Sequence, residues 1–448
     1  MTTATSVARR PSATPTTART PPPASMAMLP SLTGLRWAAA LLVFGLHVRN
    51  FGYFAGTGGD IMTWAFDAGA TGVSFFFVLS GFVLMWSARP NDRAPAFWRR
   101  RIARVYPVHL ATAAIALALA YTLDHREMPT AHQALANVLL VHSWWRPWWQ
   151  TLDPVSWSLA CEAFFYALFP LLALLLRRLD VRGAAAVALA SVLAVPALGW
   201  ADAHHWLGQT VNSFPAARLP EFVLGAAVAR LVLLGRWRGP GLEASLALAV
   251  IGYFFVPQVT PGYPATACTI VGFALLIPAA AVADLRGLPS LWRHRRLVRL
   301  GELSFAFYMV HLLVLQAGTR LLGASPRYGV LGGMCATTLA FTVSLVLSWV
   351  LYEGVERPAR QLLLRRRRSS GTRPKPPAAR SKSVPAASDS SARARLSGRP
   401  DPPVGGGPGR PAPPAIRAPY RRCSPIGGRP GLSEGWSRSV PALPGAGA

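Results

Sequence analysis

Charged residues are scarce in this sequence, and acidic residues are few. Only 14% of the residues are charged, and 18 Asp and Glu stand against 46 Lys and Arg. Soluble domains carry about 25% charged residues, so this composition excludes an ordinary soluble enzyme. Hydrophobic residues make up 52% of the chain and fall in blocks of about 16–22 residues, long enough to cross a bilayer.

The chain also has little cysteine. None of its 4 cysteines stands in a CxxC pattern, and Cys161, Cys268 and Cys335 lie in apolar segments. This pattern indicates neither a disulfide framework nor a zinc site, and we expect no metal cofactor. Residues 1–30 have no apolar core of the length found in a cleavable signal peptide, so we expect the first apolar segment to direct insertion.

Arginine is concentrated in alternate loops between the apolar segments and in a long C-terminal tail. We predict ten membrane-spanning segments: 32–51, 69–88, 105–123, 156–176, 183–201, 219–235, 243–258, 264–284, 300–319 and 328–352. Basic loops follow the even-numbered segments, and the alternation requires an even number of spans with both termini cytoplasmic. The net charge of +28 is therefore interpreted as a sign of membrane topology, and no nucleic-acid partner is expected.

These features predict an all-α fold, a polytopic transmembrane helical bundle of about ten spans in the plasma membrane, with the lipid bilayer as its partner. The bundle is predicted over residues 31–362, between a disordered cytoplasmic tail at 1–30 and a basic, Pro/Gly/Arg-rich disordered tail at 363–448. Segment 132–145 is too short to cross and is expected at the outer interface. An inert C-terminal tail is favoured over one that binds membrane surfaces or nucleic acid.

Two ionisable residues, Arg36 and His47, lie within the first apolar segment. Their spacing corresponds to about three helical turns, which places both on one helix face, roughly 16 Å apart along the axis. Because an ionisable group in a membrane helix costs about 2.5–3.5 kcal/mol, the pair indicates a polar cavity. A neutral imidazole there can accept the proton of an attacking hydroxyl. The alternative is an interfacial His and a snorkelling Arg at the two ends of an anchor helix.

A carboxylate, Glu162, stands among the apolar residues of the fourth segment. Ser158 and Tyr166 flank it at four-residue spacing and so share its helix face. A carboxylate at this depth must be partnered or protonated, which makes Glu162 a candidate catalytic residue. Ser80, in the second segment, is expected either to hydrogen-bond across a helix interface or only to pack.

Two pairs of charged residues stand where helices begin. Arg101 and Arg104 lie three residues apart at the start of the third segment. They are predicted either to hold a phosphate-rich ligand or only to anchor the helix on the cytoplasmic side. Arg218 and Glu221 open the sixth segment, and their charges are able to pair with each other.

The ninth segment carries a polar stripe on an otherwise apolar helix. Ser304, Tyr308 and His311 recur at the spacing of one helix face. Polar groups on one face of a membrane helix are typical of a functional cavity. Together with the first and fourth segments, this stripe indicates that several helices contribute to one polar site.

Taken together, these motifs resemble the acyltransferase-3 family of integral membrane acyltransferases. The resemblance runs from about Leu32 to Arg360 and rests on seven motifs in family order: 36–47, 72–82, 100–107, 156–166, 218–222, 301–311 and 352–358. Members of this family O-acylate surface polysaccharides, peptidoglycan, lipopolysaccharide and some antibiotic sugars. The motif order is specific for the family and says far less about the substrate.

The resemblance implies roles for the residues at the matching positions. Arg36 and His47 match the family's essential pair, and Glu162 matches its intramembrane acid. Arg101 and Arg104 are implied to bind the donor, an acyl-coenzyme A presented from the cytoplasm, with acetyl the family's commonest group. Six other residues of these motifs are candidates for substrate binding: Ser80, Trp157, Tyr166, Glu221, Tyr308 and His311.

The acceptor is expected to be a hydroxyl of a sugar or of a glycosylated secondary metabolite, with cell-envelope polysaccharide or peptidoglycan as the alternative. Some family members carry an additional periplasmic acyltransferase domain, which the tail of this chain does not resemble. The predicted mechanism is direct attack by the hydroxyl, with His47 as general base and Arg36 either holding the donor or stabilising negative charge. Two other classes stay open: a proton-coupled transporter using Glu162, His47 and His311, and a catalytically silent member with a binding role.

Overall fold

The computed structural model describes residues 28–89, 92–123, 128–206, 211–258, 266–323 and 326–364. Within these ranges the chain is helical, and the β-structure found there is one isolated bridge between Phe54 and Tyr328. The two tails predicted to be disordered lie outside the described residues, apart from residues 28–30 and 363–364.

Thirteen α-helices form the described part of the chain, and a π-helical turn at Tyr352–Glu356 joins the last two. They are α1 Pro30–Asn50, α2 Gly56–Phe66, α3 Thr71–Ser87, α4 Ala94–Leu123, α5 Ala131–Val138, α6 Trp157–Arg178, α7 Val181–Ala203, α8 Pro215–Leu233, α9 Leu242–Phe255, α10 Thr266–Leu285, α11 Arg295–Leu322, α12 Val330–Leu351 and α13 Arg357–Leu364.

All ten predicted spans fall on helices, and 8 helical stretches of the described residues are long and apolar enough to cross a membrane. The two predicted spans outside this set are α8, which carries three charged residues, and α9, which has only 14 residues. Helix α5 has 8 residues and is too short to cross, as predicted for segment 132–145. The chain is therefore an all-α, multi-pass membrane protein, as the sequence predicts.

Two glycines allow α3 and α8 to pack backbone against backbone. A Cβ atom on Gly81 would lie 1.9 Å from the carbonyl oxygen of Phe222, and one on Gly225 would lie 1.8 Å from that of Val78. No side chain fits at such distances. Small residues at helix crossings permit this approach in membrane proteins, where van der Waals packing drives helix association. The contact fixes α3, which contributes one wall of the cavity described below.

Replacing Gly225 by alanine is expected to destabilise the protein, because the added methyl group collides with the backbone of α3. Overpacking of this kind costs about 1–3 kcal/mol. Thermal unfolding of the purified protein in detergent measures the effect. Gly241→Ala is the matched control, since a Cβ at that position meets nothing within 4 Å. Equal unfolding temperatures for the two variants would contradict this description of the helix contact.

Helix α1 packs closely against α11. A Cβ on Gly301 would lie 1.8 Å from the carbonyl oxygen of Thr33, so the two backbones touch near the start of both helices. Further along, the rings of Phe44 and Phe307 fill the interface with centroids 5.7 Å apart. This packing brings the face of α1 that carries His47 against the polar stripe of α11.

A buried polar cluster holds α5 and the turns after it against α4. The Asn137 amide donates to Ser156 Oγ at 3.0 Å, and that oxygen lies 3.2 Å from Nε2 of His142. Nε2 of His109, on α4, lies 3.0 Å from the Asn137 carbonyl oxygen. Burial raises the pKa of Asp153 to about 8 and lowers the pKa of His142 to about 4. Burial thus favours the uncharged form of both groups.

Candidate active site

Five helices and the π-helical turn surround a cavity of about 820 Å³ inside the bundle. Its walls come from α1, α3, α4, α6 and α11, and the start of α13 also reaches it. Most of the residues that line the cavity are aromatic or aliphatic, and a small number are charged. Ligand-binding sites commonly have this composition. The polar positions are therefore informative about the ligand.

Five arginines line this cavity: Arg36, Arg89, Arg101, Arg104 and Arg360. Arg101 and Arg104 were predicted as donor-binding residues, and both are half-buried. The guanidinium of Arg101 lies 5.7 Å from the ring centroid of Phe97, a cation–π distance that holds it in place. We call the end of the bundle formed by Arg89, Arg101, Arg104 and Arg360 the basic end. It offers guanidinium groups that bind phosphate bidentately.

Glu162 lies in the cavity wall and accepts two hydrogen bonds from side chains that the sequence also singles out. Ser80 Oγ, on α3, donates to its Oε1 at 2.9 Å, and the Tyr166 hydroxyl, one turn along α6, donates to the same oxygen. All three residues line the cavity. The cross-helix hydrogen bond of Ser80 confirms one of its two predicted roles. The carboxylate is thus partnered and held in one orientation.

Arg36 also lines the cavity, on α1. It interacts electrostatically with Arg104 and with the carboxylates of Glu162 and Glu356. The arginine is therefore a positive charge in the cavity wall, repelled by Arg104 and attracted by two acids. This arrangement supports the prediction of a polar cavity around Arg36 over the alternative of a snorkelling side chain.

His47 forms a direct contact with the polar stripe of α11. Its Nδ1 lies 2.9 Å from Nε2 of His311, and the two rings are 5.0 Å apart between centroids. Nδ1 of His311 lies 2.7 Å from the carbonyl oxygen of Tyr308 and 3.2 Å from that of Phe307. His311 is fully buried, whereas His47 is half-buried. The two imidazoles therefore form a pair of which only His47 is accessible.

The histidine pair lies one layer beyond the cavity, because His47 and His311 are not among its lining residues. Tyr308 stands at the boundary. It lines the cavity, and its ring centroid is 6.0 Å from that of Phe76 and 5.9 Å from that of His311. The expectation that Arg36 and His47 share one cavity is met for Arg36 alone. Their separation of roughly 16 Å along α1 places them at different levels of the bundle.

Two predicted substrate-binding residues, Glu221 and Trp157, lie away from the cavity walls. Glu221 is fully buried and forms an ion pair with Arg218 at 3.1 Å, as the sequence allows. Arg218 also donates to Ser74 Oγ at 3.1 Å and lies 5.8 Å from the centroid of the Trp157 ring. These contacts give both residues a place in the helix interface between α3, α6 and α8. The geometry offers no support for a role of either in binding substrate.

Other cavity residues were missed by the sequence analysis as site residues, above all Glu302 and Glu356. Glu356 ends the π-helical turn and is buried, although the motif 352–358 that contains it was noted. A regular helical count does not foresee this turn, and π-turns often occur at functional sites. Among the described residues there is no cluster of His, Cys, Asp or Glu that can hold a metal ion.

The features above define a helical membrane protein with a polar, arginine-lined cavity inside its bundle, and comparison with known proteins places it in a family. A family model described as an acyltransferase domain, that of the acyltransferase-3 family, matches residues 29–353, and the chain belongs to this family. A relative named acyltransferase MdmB, from Streptomyces mycarofaciens, is 40% identical over 372 residues, which cover 77% of this chain and 95% of the relative.

More distant relatives have names that point to different roles. The exopolysaccharide production protein ExoZ of Rhizobium meliloti is 28% identical over 320 residues, covering 68% of this chain and 92% of the relative. The O-acetyltransferase OatA of Staphylococcus aureus is 29% identical over 162 residues, covering 32% of this chain and 24% of the relative. No solved structure matches the chain significantly.

Proposed function

We propose that this protein transfers an acyl group, with acetyl as the first candidate, from acyl-coenzyme A to a hydroxyl of a carbohydrate or glycosylated secondary metabolite. The observation that carries the proposal is the cavity itself, which is lined by the arginines of the basic end and also by Tyr308, whose ring centroid lies 5.9 Å from that of His311. The arginines of the basic end are able to bind the phosphates of a donor. A histidine of the pair is able to act as the general base.

The donor is proposed to enter at the basic end. Arg89, Arg101, Arg104 and Arg360 would bind the phosphates of coenzyme A, since guanidinium groups pair with phosphate through two parallel hydrogen bonds. The uncharged arm that ends in the thioester would then lie along the aliphatic and aromatic walls. We place the protein in the plasma membrane. By the positive-inside rule, the basic end then faces the cytoplasm.

Arg36 is proposed to hold the donor rather than to stabilise charge at the reacting carbonyl. It lines the same cavity as the four arginines of the basic end, whereas His47 lies beyond Tyr308. Glu162 and Glu356 keep the Arg36 guanidinium in place through their opposite charges. The thioester is proposed to reach the base past Tyr308, which lines the cavity and contacts His311.

In the proposed reaction the acceptor oxygen attacks the carbonyl carbon of the thioester. A C–O bond forms, the C–S bond breaks, and coenzyme A leaves as a thiolate. His47 takes the proton of the hydroxyl during attack and returns it to the thiolate, so the base is regenerated. Tyr308, whose hydroxyl lies 2.8 Å from Ser158 Oγ, is the substrate-binding candidate that lines the cavity beside the histidine pair.

Removing the charges of Arg101 and Arg104 together is expected to weaken donor binding. Each charge-assisted hydrogen bond contributes about 1.5–3 kcal/mol, so the loss of both in the double substitution to methionine should raise KM for acetyl-coenzyme A by about 100-fold or more. Initial rates at varied donor concentration measure this change. Arg99→Met is the matched control, because Arg99 is an exposed residue of the same helix outside the cavity lining. An unchanged KM in the double variant would remove both residues from the donor site.

Acylation of a cell-envelope polysaccharide is a second candidate, favoured by the similarity to a protein named for exopolysaccharide production. Mass spectrometry of cells that express or lack the protein separates the two candidates. The first predicts an added acyl group on a small glycoside, and the second predicts it on envelope glycan. A product profile without any acyl difference would contradict both.

A further inference from the structure

The contact between His311 and His47 indicates a specific role for His311. We propose that His311 is a positioning residue that fixes the tautomer of His47, so that Nε2 of His47 is the nitrogen that accepts the proton of the acceptor hydroxyl. The inference deepens the proposed function and rests on it. It replaces the predicted role of His311 in substrate binding, which its complete burial opposes.

The backbone of α11 determines where the proton of His311 lies. Nδ1 of this ring is 2.7 Å from the carbonyl oxygen of Tyr308 and 3.2 Å from that of Phe307. A carbonyl oxygen only accepts hydrogen bonds, so Nδ1 must donate. In a neutral imidazole the other nitrogen, Nε2, then carries the lone pair and is an acceptor.

The contact between the two rings transmits this arrangement to His47. Nε2 of His311 lies 2.9 Å from Nδ1 of His47. Because Nε2 accepts, Nδ1 of His47 must donate, and Nε2 of His47 is left with the lone pair. When His47 takes up a proton, Nδ1 still donates to the same acceptor. The contact therefore serves the imidazolium as well as the neutral ring, as an orienting partner of a catalytic histidine does.

Aromatic packing keeps His311 in the orientation that this task requires. The Phe307 ring stacks on it at an interplanar angle of 9° with centroids 5.8 Å apart, and the Phe44 ring meets it at 6.1 Å. A ring that packs against two aromatic side chains and is held by a backbone carbonyl has little freedom to turn. Because His311 is buried, it cannot contact substrate. The same packing keeps its ring in the orientation that fixes the tautomer of His47.

Two substitutions of His311 separate this role from a merely structural one. His311→Leu fills the apolar surroundings but removes the acceptor, and it is expected to lower kcat by about 100-fold, the upper range for loss of an orienting partner. KM for acetyl-coenzyme A should not change. His311→Gln places an amide oxygen near the position of Nε2 and is expected to recover most of the activity. A leucine variant with wild-type kcat, or a glutamine variant as slow as the leucine variant, would overturn the proposal.

The protonation of His47 in the unaltered protein gives a second test that does not depend on variants folding. Nitrogen chemical shifts of labelled histidine in detergent-solubilised protein distinguish the two tautomers, and His47→Gln assigns the signal. We expect a protonated Nδ1, and a protonated Nε2 would contradict the inference. Failure of the proposed function would look different, because the unaltered protein would then transfer no acyl group from acetyl-coenzyme A, whichever tautomer His47 has.

Discussion

Replacing His47 by alanine is expected to abolish acyl transfer while the protein still folds and inserts. A positioned general base contributes about 10²–10⁴-fold to a rate, and turnover should fall by that factor. The His47 side chain is half-buried near the end of α1, and its removal leaves one buried acceptor, Nε2 of His311, without its partner. The loss of one such hydrogen bond costs about 1–3 kcal/mol, which the fold should tolerate. Initial rates of acetyl transfer by purified protein measure the effect.

The control for this substitution is His132→Ala. His132 is exposed on α5, away from both the cavity and the histidine pair. The His132→Ala variant should transfer acetyl groups at the wild-type rate. This result would show that the loss of activity in His47→Ala is specific to His47. Turnover by the His47 variant at the wild-type rate would reject the assignment of this residue as the base and, with it, the chemistry derived from its position.

Replacing Arg36 by methionine is the second single substitution for which a large effect is expected. The loss of one charge-assisted contact to the donor, at about 1.5–3 kcal/mol, predicts a fall in kcat/KM of about 10–150-fold. Because Arg36 lies with the donor-binding arginines and apart from His47, the change should appear in KM for acyl-coenzyme A. A residue that stabilised the reacting carbonyl would instead lower kcat and leave KM unchanged.

A matched control for Arg36 exists on the same helix. Arg49 is partly exposed, pairs with Asp67 at 2.9 Å and does not line the cavity. An exposed ion pair contributes about 0–1 kcal/mol, so Arg49→Met should alter neither stability nor kinetics measurably. If Arg36→Met lowered kcat alone, the reaction would have to occur within the cavity, and the passage beyond Tyr308 would be wrong.

The sequence predicted the helices well because hydrophobic blocks and alternating basic loops are local signals. It also predicted that Ser80, Glu162 and Tyr166 would take part in one site, and the structure joins all three by hydrogen bonds. Four-residue spacing places Tyr166 over Glu162 in any helix, so this relation follows from the helix alone.

Relations between distant helices were not predictable in the same way. The contact of His47 with His311 depends on how α1 and α11 cross. Gly301 allows the two helices to approach closely, but a single glycine in the sequence does not predict which helix will pack against it. The pairing of Glu221 with Arg218 was foreseen from their three-residue spacing, whereas their place in the interface between α3, α6 and α8 was not. A motif fixes which residues matter to a family, whereas only packing decides whether they bind substrate or hold helices together.

The most direct test of the central claim follows labelled acyl groups through a single turnover. Purified protein in liposomes is mixed with acetyl-coenzyme A labelled in the acetyl group and with a glycosylated acceptor, and the free coenzyme A and labelled product are both measured. We predict one labelled O-acetyl product for each coenzyme A released, with no product from the His47→Ala variant. Label that stays on coenzyme A with the wild-type protein, across both small glycosides and envelope glycan as acceptors, would contradict the account.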